Sequence, residues 1–251
     1  MYPGRAGTGT KHDHSVLVKE LKHYLDQLLQ TKPIAAYWQT GFNEILDKHL
    51  GKLPGAFTYN QQVHTAASFA KDVLKFNAND FVNITSFTHK PYYQSFILDV
   101  PDNFSNGAYY NLPLAEMLQT VKTALQNGYT ILWDADVSNS GFKQDQGLAL
   151  LLASDEGTAT LTPQTTEGSW AADKRQALFE NLTTQDDHLM QVTGMVRSKE
   201  GKTFFTVKNS WGAVGPYNGY IQVSEAYFAI NTISLVVPKA AIESALLEKL
   251  K

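Results

Sequence analysis

Two strand-like segments on either side of a short polar turn constrain the fold of this chain most strongly. The segments are His188–Arg197 and Lys202–Trp211, and the turn between them is Ser198-Lys199-Glu200-Gly201. A polar turn that ends in glycine between two such segments predicts a β-hairpin. Because side chains alternate between the two faces of a strand, the register of this hairpin decides which polar residues share a face.

The register predicted from the turn brings three distinctive side chains together. With the turn centred between its second and third residues, His188 lies opposite Trp211, and Asn209 is the diagonal neighbour of His188 on the same face. Diagonal neighbours are about 7–8 Å apart, within reach of long side chains. The Asn209 amide oxygen can then accept from one imidazole nitrogen and leave the other free, with Trp211 shielding the hydrogen bond from water. A structural histidine at the end of a core hairpin is the alternative.

The rest of this face is predicted to be apolar. It is formed by Met190, Val192, Gly194 and Val196 against Val207, Phe205 and Thr203.

The chain changes from helical to strand-like periodicity near residue 80. Before that point, apolar spacing predicts a helix capped by Ser15, a second through Phe42–Leu50 that ends at Gly51, and a third from near Thr58 to Val73. We therefore predict an α+β fold, with a mainly helical segment at 1–105 and a β-rich subdomain at 106–251. The strands predicted after the change are Phe81–Phe87, Phe96–Val100, Tyr129–Ala135, Leu148–Ala153, His188–Arg197, Thr203–Asn209, Tyr220–Val223 and Thr232–Val237, and the helices are Pro113–Gly128, Ser169–Asn181 and Lys239–Leu250.

Composition excludes several classes of function. The 21 basic and 24 acidic residues leave a net charge of −3 and form no basic stripe, so nucleic acid and membrane are not expected partners. The chain contains no cysteine. Disulfides, thiolate metal sites and a cysteine nucleophile are therefore excluded from these 251 residues.

The chain resembles the C-terminal part of the bleomycin hydrolase and aminopeptidase C branch of the papain-like cysteine peptidases. In that family a histidine precedes a hairpin that ends in Asn-Ser-Trp-Gly, as His188 and Asn209-Ser210-Trp211-Gly212 do here. Further similar segments are Tyr2-Pro3-Gly4, His12-Asp13-His14-Ser15, Thr85-Ser86-Phe87-Thr88-His89, Pro101-Asp102-Asn103-Phe104-Ser105, Trp133-Asp134-Ala135-Asp136-Val137 and Asp186-Asp187-His188.

The resemblance implies half of a two-part peptidase. A helical half would present the nucleophilic cysteine at a helix N-terminus, and an antiparallel β-barrel-like half would carry the histidine and asparagine. His188 would be the general base and acid, Asn209 would orient its ring, and Trp211 would cover their contact. The substrate would be a peptide, and the resemblance implies no cofactor and no metal.

This chain departs from the family pattern in two places. The cysteine and the glutamine of the oxyanion hole lie before Met1 in the family order, so we expect the chain alone to be inactive. The C-terminal tail that restricts some members to aminopeptidase action has no counterpart after Leu250-Lys251, which leaves exopeptidase or endopeptidase action open. Association with a missing N-terminal half, or a homo-oligomer, is expected through apolar surface left exposed. The family favours a cytoplasmic location, and a periplasmic or secreted one is left open if a signal peptide precedes this chain.

Other residues offer competing chemistry. Gly168-Ser169-Trp170-Ala171 imitates a nucleophile box with serine, although helix capping by Ser169 explains it better. His12-Asp13-His14 has three metal-capable side chains, but adjacent positions rarely converge on one ion.

Four aspartates near the predicted strand ends also have two readings. Asp134 and Asp136 could act as a general acid and base. The favoured interpretation is that they are solvated residues at the end of a strand. Asp186 and Asp187 would favour a charged imidazole or simply form a turn.

Two functions therefore stay open. The first is a cysteine-type peptidase represented by its histidine-bearing part. The second is a non-catalytic truncated homologue or pseudoenzyme that binds or assembles, which the absence of cysteine favours.

Overall fold

The computed structural model of the chain describes residues 13–153 and 160–250. The Tyr2-Pro3-Gly4 motif and His12 lie outside these residues. The chain divides into two compact units, one ending at Phe76 and the other beginning at Asn77. The predicted domain boundary between residues 105 and 106 stays a prediction. Strands within residues 81–97, which precede this boundary, belong to the sheet of the second unit.

The first unit holds two helices, a small hairpin and a helical turn. Its elements are α1 (Ser15–Leu29), α2 (Trp38–Leu50), β1 (Phe57–Tyr59), β2 (Gln62–His64) and α3 (Ala66–Ser68), which continues into a π-helical turn at Phe69–Val73. Lys48 and His49 of α2 contact Glu20 of α1 at 2.8 and 3.0 Å. The predicted cap at Ser15 is wrong by one position, because His14 precedes the first turn and the Ser15 amide donates to Asp13.

The predicted third helix begins too early. Asn60 and Gln61 both have positive φ, 47° and 64°, and form a two-residue turn between β1 and β2. Two positive φ angles are the signature of the turn that joins twisted hairpin strands. Helical structure begins only after Thr65, whose side chain accepts from the Ser68 amide.

A ten-stranded sheet organises the second unit. Its strands are β3 (Phe81–Thr85), β4 (Ser95–Ile97), β5 (Ala108–Asn111), β6 (Ile131–Ala135), β7 (Phe142–Lys143), β8 (Leu148–Ala149), β9 (His188–Arg197), β10 (Thr203–Lys208), β11 (Tyr220–Ser224) and β12 (Thr232–Pro238). Their order is β4-β5-β3-β12-β6-β9-β10-β11-β8-β7. The pairs β3/β5 and β8/β11 are parallel and the others antiparallel. The predicted α+β class is confirmed.

Within the described residues of this unit, four α-helices accompany the sheet. They are α4 (Leu114–Gln126), α5 (Ala172–Glu180), α6 (Glu225–Asn231) and α7 (Ser244–Lys249). The apolar positions of α4 are buried as its periodicity predicts. The sequence prediction missed α6, whose N-terminus is capped by the Ser224 hydroxyl. The predicted last helix is broken, since a 3-10 turn at Lys239–Ala241 precedes α7.

The main core lies on the face of the sheet that carries Trp133. Its indole stacks on Phe228 of α6 at 4.8 Å and donates to the Thr232 hydroxyl at 2.8 Å. Val192 and Phe205 from the predicted hairpin are fully buried in the same core.

The hairpin of β9 and β10 contains a bulge that the sequence prediction did not include. Near the turn Met195 pairs with Phe205 and Gly194 with Thr206, whereas beyond it Val207 pairs with Val192. Thr193 is therefore the extra residue, and its hydroxyl donates to the Thr206 carbonyl at 3.1 Å. The prediction that Gly194 and Val196 share a face with Phe205 is wrong for this reason: Gly194 pairs with Thr206 and Val196 with Phe204, and Val196 is 48% exposed.

A buried arginine joins α5 to the sheet. Arg175 is 1% exposed and donates to the carbonyl oxygens of Ser86, Ala229 and Ile230 at 2.7–3.2 Å. Its guanidinium also lies 4.6 Å from the centre of the Phe87 ring. Burial lowers the pKa of Arg175 to about 9.

We expect Arg175→Met to lower the free energy of unfolding by about 2–4 kcal/mol, because it leaves buried carbonyl oxygens without donors. Urea denaturation measures the change. Lys174→Met, at an exposed position of the same helix, is the control and should have little effect. Equal losses in the two variants would contradict this role of Arg175.

Candidate active site

The candidate site lies where β9 begins, beside the end of β6. His188 is the first residue of β9 and pairs with Ala135, the last residue of β6. Asn209 directly follows β10, and Trp211 lies two residues further on. The three residues predicted to meet therefore lie at or just beyond the ends of strands.

The structure brings His188, Asn209 and Trp211 into contact. His188 Nε2 lies 2.8 Å from Asn209 Oδ1. The imidazole and indole ring centres are 5.0 Å apart with an interplanar angle of 36°. Asn209 is buried and His188 is half-buried, and the Trp211 ring packs beside the imidazole.

The orientation of the Asn209 amide is determined by an unambiguous donor. The Ser210 backbone amide donates to Asn209 Oδ1 at 2.7 Å, so this atom must be the oxygen. An oxygen can only accept, and His188 Nε2 must therefore carry the proton of their hydrogen bond. In the part of the chain that the structure describes, no hydrogen bond occupies His188 Nδ1. A neutral imidazole in this state has its lone pair on Nδ1.

Trp211 is itself supported from the sheet edge. Its ring lies 5.9 Å from Phe142 of β7 in an edge-to-face arrangement at 77°, and Phe142 lies 6.2 Å from Tyr227 of α6. Edge-to-face pairs are favoured by the aromatic quadrupole. The indole is nevertheless 48% exposed, so one side of it is open to solvent or to a partner.

The segment before His188 is anchored to the segment after β6 by carboxylates. Asp136 Oδ2 accepts from the Gln185 amide at 2.8 Å, and Asp187 Oδ1 accepts from the Val137 amide at 3.0 Å. Asp136 is 1% exposed, which corrects the favoured reading of a solvated strand-end residue. Burial raises the pKa of Asp187, while the Val137 amide and His188 act in the opposite direction.

A second pair of carboxyl groups, Asp134 and Asp186, lies near this anchor. Asp134 is 5% exposed, so the solvated reading is wrong for it as well, and its carboxyl group contacts that of Asp186. Ser234 donates to Asp134 at 3.1 Å, and the Asp102 amide donates to Asp186 at 2.9 Å. Burial and the neighbouring Asp186 charge raise the pKa of Asp134 to about 8. The raised pKa favours the protonated form of the Asp134 carboxyl group beside Asp186.

The competing sites do not assemble into comparable arrangements. Ser169 is not the cap of α5, because Ala171 holds that position and the Ser169 carbonyl accepts from Lys174 at 3.1 Å. No hydrogen bond in the described part of the chain joins Ser169 to a histidine. Of the predicted metal-capable trio, His12 is not described and Asp13 accepts from the Ser15 amide. No group of three or more His, Asp or Glu side chains in residues 13–153 and 160–250 has the arrangement of a metal site.

The helices of the same described ranges include none with the length and apolar character needed to cross a membrane.

Sequence reasoning missed Gln144, which lies just after β7. Gln144 is buried, and its Oε1 accepts from Asn209 Nδ2 at 3.0 Å. It stands far from Asn209 in the chain, and no spacing or periodicity connects the two. Only the return of the β7–β8 edge toward β11 brings them together.

Comparison with known proteins identifies the class of this chain. The solved structure of PepW from Lactobacillus rhamnosis superposes with a TM-score of 0.64 at 20% identity, covering 94% of this chain and 56% of that one. The fold is therefore that of the papain-like peptidases. A model of the Peptidase C1-like family matches residues 56–251, and the chain belongs to this family.

The resemblance to the aminopeptidase C branch is also confirmed. Aminopeptidase C of Streptococcus thermophilus is 25% identical over 183 residues, which are 70% of this chain and 39% of that protein. The chain thus spans less than two thirds of the length of both relatives. The roles assigned to His188, Asn209 and Trp211 stay predictions.

The pKa of Asp134 predicts how stability depends on pH. In the unfolded chain an aspartate titrates near about 3.9, so between pH ~4 and ~8 the folded chain binds more protons. The free energy of unfolding should therefore fall as the pH rises through this window. Asp134→Asn removes the titration, and its amide can donate to Asp186 and accept from Ser234. We expect the variant to be more stable than the wild type at pH 8.

Urea denaturation between pH 4 and 9 measures both curves. Asp173→Asn, at an exposed position of α5, should keep the pH slope of the wild type. An unchanged slope in Asp134→Asn would show that Asp134 is not the group responsible.

Proposed function

We propose that this chain is the histidine- and asparagine-bearing part of a papain-like cysteine peptidase that cleaves peptides. The observation that carries the proposal is the hydrogen bond from His188 Nε2 to Asn209 Oδ1, which leaves Nδ1 for a reacting partner. In a nucleophile–histidine–amide site, the amide fixes the ring and the free nitrogen exchanges a proton with the nucleophile.

The residues divide the work as follows. His188 Nδ1 takes the proton of a thiol and later returns it to the amine that leaves the peptide. Asn209 holds the ring so that Nδ1 keeps its direction during both transfers. Trp211 keeps water from competing for the Asn209 oxygen, because its ring packs against the imidazole.

The thiolate must come from residues outside this chain, since none of the 251 residues is a cysteine. A serine substitute within the chain is not supported, because Ser169 makes no hydrogen bond with His188. The aminopeptidase C name of a relative favours removal of N-terminal residues, and the exposed Trp211 offers a surface beside the site for a peptide or for the part that brings the thiolate.

The product of the complete gene tests this function. We expect it to hydrolyse peptide substrates and to lose activity on treatment with iodoacetamide. Because no cysteine lies in these 251 residues, mass spectrometry should locate the inactivating adduct outside them. The isolated chain should show no hydrolysis, and iodoacetamide-resistant hydrolysis by it would contradict the proposal.

His188→Ala should lower kcat/KM of that product by at least about 10³-fold, since removing one member of a catalytic group costs most of its effect. Ser169→Ala is the matched test of the serine alternative and should leave kcat/KM unchanged. His89→Ala, at an exposed histidine away from Asn209, controls for the loss of an imidazole. Activity that survives His188→Ala would exclude the proposed mechanism.

A non-catalytic binding protein is the second candidate, and the absence of cysteine favours it. It predicts that the reduced complete product binds peptides without turnover. Under this function His188→Ala would change affinity alone, which equilibrium binding measures directly.

A further inference from the structure

We propose that Gln144 is a positioning residue for the imidazole: it fixes the amide of Asn209, and through it the ring of His188. The importance of this role for catalysis rests on the proposed peptidase function, whereas the hydrogen bonds of Gln144 do not depend on that function. Gln144 follows β7, the edge strand of the sheet, and lies outside the hairpin of β9 and β10 that carries His188.

The hydrogen bonds around Gln144 have a defined direction at both ends. Gln144 Nε2 lies 3.3 Å from the Tyr220 carbonyl oxygen, which can only accept. Gln144 Oε1 is therefore the oxygen that accepts from Asn209 Nδ2 at 3.0 Å. At the other end, the Ser210 amide donates to Asn209 Oδ1. The hydrogen bonds thus run from the His188 N–H through the side-chain amides of Asn209 and Gln144 to the Tyr220 carbonyl. If either amide rotated, it would lose a hydrogen-bond partner.

Gln144 is rigidly placed. Its side chain is buried, and its carbonyl oxygen accepts from the Gly147 amide at 3.2 Å. Gly215, at a φ of 77°, approaches that carbonyl so closely that an added Cβ would meet it. The loop that follows the Asn-Ser-Trp-Gly motif therefore packs directly on the backbone of Gln144.

The same edge segment supports the tryptophan. Phe142 is two residues before Gln144 and contacts the Trp211 ring. One short segment thus contacts both residues that accompany His188, the asparagine through Gln144 and the tryptophan through Phe142. This double contact supports a role in positioning the site beyond general packing.

Gln144→Met separates these hydrogen bonds from packing, because it retains side-chain length without polar atoms. Asn209 Nδ2 then has no acceptor in a buried position, and we expect the amide to rotate. In the 251-residue chain labelled with ¹⁵N, the His188 Nε2 proton should exchange with water at least about tenfold faster, as expected for a weakened hydrogen bond. The Asn209 side-chain amide signals should move toward those of a solvated asparagine.

Gln144→Glu is the conservative variant. Its carboxylate still accepts from Asn209 but cannot donate to the Tyr220 carbonyl, so His188 Nε2 proton exchange should stay within about twofold of the wild type. Gln119→Met, at an exposed position of α4, controls for the substitution itself and should change neither signal.

Unchanged exchange and unchanged Asn209 signals in Gln144→Met would overturn the proposal. If that variant does not fold, Gln144→Glu decides: the proposal fails if protection of the His188 proton is lost there as well. In the complete gene product, Gln144→Met should lower kcat with little change in KM. A product that hydrolyses no peptide would refute the peptidase function, whereas the exchange measurement would still decide the role of Gln144.

Discussion

The bulge at Thr193 is the constraint on which the candidate site depends. On the turn side of Thr193, the pairing of Met195 with Phe205 puts odd-numbered residues of β9 on the face of odd-numbered residues of β10. That register would put Asn209 on the face opposite His188. The extra residue shifts the pairing by one, so that Val192 pairs with Val207 and even-numbered residues of β9 share a face with odd-numbered residues of β10. Only in this second register can Asn209 reach the imidazole.

The prediction from sequence reached the correct register at the site without the bulge. Centring the turn between Lys199 and Glu200 placed Val207 opposite Val192, as observed, but also put Val196 on the face of Phe205, whereas it pairs with Phe204. Near the turn, the observed pairing differs by one residue from the pairing that a symmetric turn predicts. The extra residue Thr193 shifts the pairing back, so that the predicted register is reached beyond the bulge. The helix α4, with apolar periodicity, and the strand β12, which is buried along most of its length, were predictable because local pattern and burial agree. The environments of Gln144 and Asp134 were not, because each depends on strands distant in sequence.

Two kinds of polar side chain hold His188, and their positions differ. Neutral amides, Asn209 and Gln144, form the hydrogen bonds that reach the ring. The carboxyl groups of Asp136 and Asp187 instead link the segment that precedes it to the segment after β6. An amide oxygen orients an imidazole without adding a net charge beside it, whereas a carboxylate there would favour the charged ring at all times. The hydrogen bond that orients the ring thus comes from a neutral amide, while the Asp187 carboxyl group interacts with His188 through its charge.

Within residues 13–153 and 160–250, the contacts that orient His188 come from the unit that begins at Asn77. They include the β6 pairing, the hydrogen bonds of Asp136 and Asp187, the amide series through Gln144 and the ring contact with Trp211. A site of this kind is ordered when the sheet folds, so the entropy of positioning the imidazole is lost during folding, before any reaction. Under the proposed function, the part that brings the thiolate then has only to place one sulfur atom near Nδ1. This division explains how a chain without cysteine can still hold a histidine in a geometry suited to a nucleophile.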